Sequence, residues 1–265
     1  TANLDVTGNV YVAAISIADQ FSLTGTTDQV VSGTVTHASG VDDDLIVSAA
    51  VRNVTFNSAV SVKDLTLGAG STTTFDSTVA SVVTALNGTS TFTGAVTLTG
   101  AATMAAGTTT TFSSTVGTDS DITGTTTANM TFNGAVTSTG NIAAGVGSTT
   151  AFNSTVSAVN LSNSGAMTLK GAVTLSGTMT TVSGSTITLG SAFKAGSAAA
   201  ITAASTSVGT LDQTVNAVTV NVNNQFTTGT VVLFKNTAAA LDSDDLASFN
   251  VTDTAIVDYT AALSS

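Results

Sequence analysis

A six-residue pattern recurs about every twenty residues through the middle of the chain and limits how the chain can fold. The clear copies read TFNSAV (55–60), TFDSTV (74–79), TFTGAV (91–96), TFSSTV (111–116), TFNGAV (131–136) and AFNSTV (151–156). Their Phe residues are 19, 17, 20, 20 and 20 residues apart, and two weaker copies, TLKGAV (168–173) and TLGSAF (188–193), carry Leu instead. Such a period is typical of stacked repeats, in which each unit buries its apolar side chains against the next.

The length of the repeat favours one architecture among the stacked-repeat proteins. Propeller blades need about 40 residues, and leucine-rich repeats need a Leu/Asn pattern that this chain lacks. Apolar and small polar residues alternate with the period of two that is typical of strands. Thr, Ser, Ala, Val and Gly dominate, Glu is absent and strong helix formers are rare. The sequence predicts an all-β fold, a right-handed parallel β-helix with coils of about 20 residues.

The same alternation predicts the core. If the Phe points inward, the residues two and four positions later lie on the same side of the strand. The residue two positions later is Ser or Gly, and we expect it to point inward in mid-strand and leave room beside the Phe. A second apolar anchor follows about ten residues after the Phe, as at Leu65, Ile122, Ile142, Leu161 and Met179. The predicted core residues are Phe56, Phe75, Phe92, Phe112, Phe132, Phe152, Val60, Val79, Val96, Val116, Val136 and Val156.

The dipeptide Asn133-Gly134 is a strong hairpin signal when it is considered alone. Its equivalents in the other copies are Asn-Ser, Asp-Ser, Thr-Gly and Ser-Ser, which share no need for a positive φ. We therefore expect no hairpin at this position.

Both ends of the chain depart from the repeat. Residues 1–50 contain alternating apolar runs without the Phe position in register, and residues 212–265 read as longer strands. Because terminal repeats are usually atypical, we divide the chain into an N-terminal cap or assembly segment (1–50), β-solenoid repeats (51–211) and a β-rich C-terminal cap or assembly segment (212–265). Within the last segment, residues 227–229 are expected to form the turn of a hairpin.

Charge and composition exclude several classes of protein. The net charge is −11, the pI is about 4.1, and the five basic residues form no stripe, so nucleic-acid binding is not expected. Without Cys there is no disulfide and no thiolate metal site. No apolar run approaches the length of about 20 residues that crosses a bilayer, so no membrane insertion is expected. The opening TANLDVTGN has no initiator Met, and we expect a mature secreted protein located outside the cell or on its surface.

The repeats resemble the passenger regions of Gram-negative surface proteins. The resemblance rests on the F-N-G-x-V strand, on the coil length and on the Cys-free composition rich in Thr, Ser, Gly and Ala, and it covers about residues 50–195. The similar families are the autotransporters and the filamentous haemagglutinin-like adhesins, whose passengers are right-handed β-helices. The resemblance implies a cell-surface adhesin, with cell-surface glycans as one class of partner.

Acidic residues are concentrated towards the two ends of the chain. Eight Asp lie in 1–76, two in 77–211 and six in 212–265. Carboxylates are ligands that Ca²⁺ prefers, although neither an EF-hand nor a glycine-rich calcium repeat is present. Two interpretations remain open: solvated acidic loops, or calcium sites that join acidic ends during assembly. Calcium is the one cofactor considered, and its candidate ligands are Asp42, Asp43, Asp44, Asp242, Asp244 and Asp245.

The chain offers few residues for catalysis. His37 is the single His and has no Cys partner. Enzymes that cleave polysaccharides use paired acids, and the middle of the chain has only Asp119 and Asp121, whose spacing allows both to face one side of a strand. Solvation of a turn explains this pair equally well. We therefore expect a protein without enzymatic activity.

Threonine pairs precede the Phe position on the side that is expected to face outward. Regular T-x-T arrays on a flat solenoid face are similar to those of ice-binding proteins. Half of the pairs are broken, and the variation in repeat length is expected to disturb a flat lattice. The strand propensity of Thr explains the pairs as well. The complete pairs are Thr72/Thr74, Thr89/Thr91, Thr109/Thr111 and Thr186/Thr188, and the broken ones are Asn53/Thr55, Asn129/Thr131, Thr149/Ala151 and Ala166/Thr168.

These observations together favour a structural protein. We expect a non-enzymatic subunit of an extracellular filament, sheath or surface layer that binds other copies of itself through its terminal segments. The alternatives are an adhesin passenger and, less favoured, an ice-binding protein.

Overall fold

A computed structural model describes residues 4–37, 44–49, 52–171 and 173–176, together with the backbones of eight later strands. All the described strand pairs are parallel, and up to residue 176 they stack into a β-solenoid of about eight turns with rungs roughly 20 residues apart. This confirms the all-β, parallel solenoid that the repeat predicts, whereas its right-handedness stays a prediction. Among the described residues there is no helix, so none of them forms a helix that could cross a membrane.

Each coil contributes one strand to each of three ladders, which we name the Phe ladder, the Val ladder and the third ladder. The strands of the Phe ladder are Gln29–Val31, Asn53–Phe56, Thr72–Phe75, Thr89–Phe92, Thr109–Phe112, Asn129–Phe132, Thr149–Phe152, Ala166–Leu169, Thr186–Leu189, Thr210–Leu211, Val231–Phe234 and Ile256–Tyr259. The Val ladder contains Ala14–Ile17, Thr34–His37, the first halves of Val60–Leu67 and Val79–Leu86, Val96–Leu98, Val116–Thr118, Val136–Ser138, Val156–Ala158 and Val173–Leu175. The third ladder contains Leu4–Val6, Gln20–Leu23, Asp44–Val47, the second halves of Val60–Leu67 and Val79–Leu86, Ala102–Met104, Ile122–Gly124, Ile142–Ala144, Leu161–Asn163, Met179–Thr181, Ala200–Ala204, Thr219–Asn223 and Ser248–Val251.

The strands of the first fifty residues stack in the same three ladders as the repeats. Val31 pairs with Phe56, and Val10 forms a parallel bridge with Val31, so both continue the Phe column. The proposed role of residues 1–50 as a cap or assembly segment stays a prediction, as does that of 212–265.

The predicted hairpin near the C-terminus is wrong. Its turn residues, 227–229, lie outside the described residues, but both flanking strands are described. Thr219–Asn223 pairs in parallel within the third ladder, and Val231–Phe234 pairs in parallel within the Phe ladder. The two strands therefore belong to different sheets.

The core consists of columns of identical or similar side chains. The six Phe rings from Phe56 to Phe152 are stacked with centroids 4.8–4.9 Å apart, and each is at most 2% exposed. The six Val residues from Val60 to Val156 are at most 2% exposed as well. Each such side chain contributes about 1.5–3 kcal/mol through burial. A single coil holds too few of them to offset an ordering entropy of about 1–2 kcal/mol per residue, so stability depends on stacking.

The small residue two positions after each Phe lies at a corner, and its predicted position in mid-strand is wrong. Strand Asn129–Phe132 ends at the Phe, and Val136–Ser138 begins in another sheet, so no hairpin forms at Asn133-Gly134. A Cβ on Gly134 would lie 2.3 Å from the carbonyl carbon of Ser114 in the preceding coil. Small side chains occur here because consecutive coils approach closely at this corner, and not because the Phe ring needs space.

The variation in coil length is confined to the two corners beside the third ladder. The corner from the Phe to the Val ladder has three residues in coils of different length, as at 76–78 and 113–115. By contrast, the corner from the Val to the third ladder has two residues at 82–83 and three at 119–121. The Phe ladder therefore keeps its register although successive strands from Phe56 to Leu169 are 17 to 20 residues apart.

The four-residue corners that lead into the Phe ladder require a left-handed residue at their third position. Gly70, Gly107 and Gly147 have φ of 82°, 74° and 67°, and Thr127 occupies the equivalent position with φ of 59°. The amide of Ala128 donates to the carbonyl of Thr125 at 3.1 Å and closes the turn. A β-branched residue is unfavourable in this conformation.

Replacing Thr127 with Gly is therefore expected to raise the free energy of unfolding by about 1 kcal/mol. The substitution relieves the backbone strain of the folded chain. This gain in free energy is larger than the loss caused by the extra conformational entropy that glycine gives the unfolded chain. Urea unfolding followed by circular dichroism measures it. Thr126→Gly in the same turn is the control and is expected to destabilise, because Thr126 has no positive φ. Equal shifts in both variants would contradict the assignment of strain to Thr127.

Candidate functional site

The outward side of the Phe ladder presents two columns of short side chains, which we name the threonine face. In each four-residue strand the second and fourth residues are buried, and the first and third point outward. The first column is exposed except at Asn129, which is half-buried, and the second column is half-buried. Ten of the fourteen residues are Thr. The first column is Asn53, Thr72, Thr89, Thr109, Asn129, Thr149 and Ala166, and the second is Thr55, Thr74, Thr91, Thr111, Thr131, Ala151 and Thr168.

The threonine face is in register from coil to coil. Thr89 lies beside Thr72, and Thr91 lies between Thr74 and Thr111. Two coils have only 17 residues, from Thr72 to Thr89 and from Thr149 to Ala166, and the strand pairing is unbroken across both. The expectation that variable repeat length disturbs the lattice is wrong, because the variation falls at corners away from this face.

The buried side of the same strands is equally regular. The Phe rings that project from it are inclined to one another by only 3–10°. Successive coils therefore repeat one side-chain arrangement, and the outward residues form a grid with a spacing of about 4.8 Å between rungs.

No charged side chain lies on the threonine face. Asp76 and Lys170 lie at the corner that follows the Phe ladder, and Lys63, Asp64 and Asp119 lie at or beside the corner between the other two ladders. Charges border the first column at Asn53: Arg52 precedes it at the corner, and Asn53 Nδ2 donates to Asp28 Oδ1 at 2.8 Å. The face is therefore neutral over seven rungs.

The structure describes one of the six candidate calcium ligands. Asp44 begins the strand Asp44–Val47 and is half-buried, while Asp42, Asp43, Asp242, Asp244 and Asp245 lie outside the described residues. Asp44 pairs with Asp64 of the next coil. This neighbour was missed, although aligning DLIV (44–47) with DLTL (64–67) places the two Asp together. Within the described part of the chain, no group of three or more acidic or His residues is placed to hold a metal.

The two acidic residues in the middle of the solenoid lie at a corner and not on a strand face. Asp121 Oδ1 accepts hydrogen bonds from the backbone amide of Asn141 at 2.7 Å and from its Nδ2 at 3.1 Å. Asn160 Nδ2 in turn donates to Asn141 Oδ1 at 2.7 Å. Asp121 therefore begins a polar ladder along the corner, and of the two interpretations of Asp119 and Asp121 the structure agrees with residues of a turn.

His37 ends the strand Thr34–His37 and is exposed. It borders a shallow groove of about 180 Å³ whose other lining residues include Ser61, Val82, Thr97 and Thr99. Val82 is 40% exposed there. The groove thus combines hydroxyl groups with one small apolar patch.

Three comparisons with known proteins gave no match. No protein-family model, no curated protein and no solved structure matches the chain. The resemblance to autotransporter and haemagglutinin-like passengers thus rests on the coil pattern, and the chain is described as a parallel β-solenoid repeat protein.

Proposed function

We propose that this chain is a non-enzymatic structural protein, a subunit of an extracellular filament, sheath or surface layer that joins other copies through its terminal segments. The observation that carries the proposal is the uninterrupted stack of parallel strands. Each strand in such a stack bonds to the rung before it and the rung after it. A second copy that continues the stack therefore makes the same contacts as an internal coil.

The N-terminal end of the described solenoid has the properties of such a joint. Within the described residues, Leu4–Val6 and Ala14–Ile17 each pair with a strand on one side only. An open strand edge is a template for pairing with another chain. Apolar side chains surround this edge: Leu4 is 51% exposed, Tyr11 72% and Val12 42%. Strand pairing and apolar burial support contact at the same place.

The purified full chain is expected to form rods that lengthen with protein concentration in sedimentation velocity and electron microscopy. Val12→Asp is expected to weaken assembly about tenfold, or about 1.4 kcal/mol per contact, because it places a charge in the joint. Val146→Asp is the matched control, because Val146 is 63% exposed at a corner in the middle of the solenoid.

Two outcomes would contradict the proposal. One is a monomeric rod at every concentration; binding of that rod to cells or glycans would favour the adhesin alternative. The other is an equal effect of Val12→Asp and Val146→Asp, because the joint would then not be at the N-terminal end. Addition of EDTA separates the two interpretations of the acidic clusters: calcium bridges predict that the polymers dissociate, and solvated loops predict no change.

A further inference from the structure

We propose that the threonine face binds the surface of an ice crystal. This activity is independent of head-to-tail assembly, because the threonine face runs along the side of the solenoid and the joint lies at its end. The proposal rests on the combined periodicity, unbroken register and neutrality of the face.

The grid of the threonine face has two regular spacings. Rungs repeat at about 4.8 Å, and the two columns are separated by two residues along a strand, or about 6.7 Å. These distances lie close to the two repeats of oxygen atoms on a prism face of hexagonal ice. Thr72, Thr89 and Thr109 supply the first column of three complete rungs, and the second column is Thr at each of them.

Each threonine of the grid combines a polar and an apolar group. Threonine offers a hydroxyl that hydrogen bonds to water and a methyl group that does not. Its branched side chain is stiff at χ1, so neighbouring residues hold both groups in a repeated orientation. A charged group would impose its own hydration shell, and the threonine face carries none. Such a surface can order water in a lattice of its own period.

A comparison within the molecule strengthens this argument. The outer side of the Val and third ladders has similar strand composition but is uneven. It includes exposed Val82 and Val83, the half-buried Lys63 and Asp64, and the variable corner. The side that carries the threonine grid keeps four-residue strands from Asn53 to Leu169, whereas the strands of the other two ladders run together in Val60–Leu67 and Val79–Leu86 and are separate in the later coils.

The size of the threonine face does not favour a second copy as its occupant. Seven rungs cover about 30 Å along the solenoid, and two columns are about 10 Å wide. The resulting area of about 300 Å² is well below the roughly 800 Å² that each partner buries in a stable protein interface. A repeating crystal surface does not have this requirement, because contact with it continues over the whole length of a rod.

The test is incorporation of the purified full chain into a slowly growing ice surface, together with measurement of thermal hysteresis. The wild-type chain is expected to enter the ice and to lower the freezing point below the melting point. Thr89→Lys combined with Thr109→Lys is expected to abolish both effects, because two ammonium groups interrupt the grid at exposed positions. Thr97→Lys combined with Thr137→Lys makes the same change at exposed positions of the Val ladder and is expected to retain both.

A gain-of-function variant tests the grid directly. Ala151→Thr combined with Ala166→Thr completes two broken rungs and is expected to increase thermal hysteresis. Melting curves by circular dichroism establish that each variant is folded. Exclusion of the wild-type chain from ice overturns the proposal. It is also overturned if the control pair loses as much activity as the pair on the threonine face, or if completing the rungs changes nothing.

Discussion

Replacement of Phe112 with Ala is expected to lower the free energy of unfolding by about 3–5 kcal/mol. The Phe112 ring is 2% exposed and lies between Phe92 and Phe132, with centroids 4.9 and 4.8 Å away. Truncation removes two stacking contacts, each of about 0.5–1.5 kcal/mol, and leaves a cavity that hydrogen-bonded strands cannot close. Urea unfolding measures the loss. Hydrogen exchange is expected to show it first in the strands of Phe92, Phe112 and Phe132, because each coil contacts mainly its neighbours.

Two further variants separate filling of the buried column from ring stacking. Phe112→Leu removes the ring but fills most of the cavity, and it is expected to lower the free energy of unfolding by only about 1 kcal/mol, because Leu169 already continues the same column beyond Phe152. Thr111→Ala changes the outward neighbour and is expected to change the free energy of unfolding by no more than about 0.5 kcal/mol. If Phe112→Ala were no worse than Phe112→Leu, filling of the column would not be the main source of stability.

Replacement of Val136 with Asp is expected to lower the free energy of unfolding by several kcal/mol and to unfold the middle of the solenoid at neutral pH. Val136 is 1% exposed and lies between Val116 and Val156 in a column of apolar side chains. A carboxylate there has no cation and no hydrogen-bond donor within the column. Far-UV circular dichroism with urea unfolding measures the loss.

The pH dependence of this loss identifies its cause. Burial raises the pKa of the introduced carboxyl above its value in the unfolded chain. The folded variant then binds more protons than the unfolded one, so its stability relative to the wild type rises as pH falls through the raised pKa. Thr137→Asp, on the exposed side of the same strand, is the control, and its free energy of unfolding is expected to remain within about 0.5 kcal/mol of the wild-type value. A deficit that does not change with pH would argue against a buried charge.

The sequence allowed the core to be predicted because the inward positions repeat. Once the copies of the repeat are aligned, the Phe position and the Val position four residues later can be assigned to the core without knowledge of tertiary contacts. The N-terminal coils were missed because Val replaces Phe there. A usable signal was nevertheless present: Val31 and Val35 keep the same four-residue spacing as Phe56 and Val60.

The corners could not be predicted in the same way. The position of Gly134 depends on the backbone of the preceding coil, and a pattern within one coil does not contain that distance. The unbroken register of the threonine face is also a property of the stack. The coil lengths vary, but only the pairing of strands reveals which corners absorb the difference. The neighbour of Asp44 became apparent for the same reason, through the pairing of two coils.

Because coil length varies at only two corners, some sides of the molecule can change in sequence and length more freely than others. A residue inserted at 119–121 or 125–128 lengthens one corner and leaves the pairing of the Phe ladder intact. An insertion within the Phe strand itself moves every residue that follows in that strand to the opposite face. New loops can therefore accumulate along one edge of the rod while the opposite side keeps a fixed pattern. The chain can in this way change the loops that it exposes without altering the strand pairing that holds the coils together.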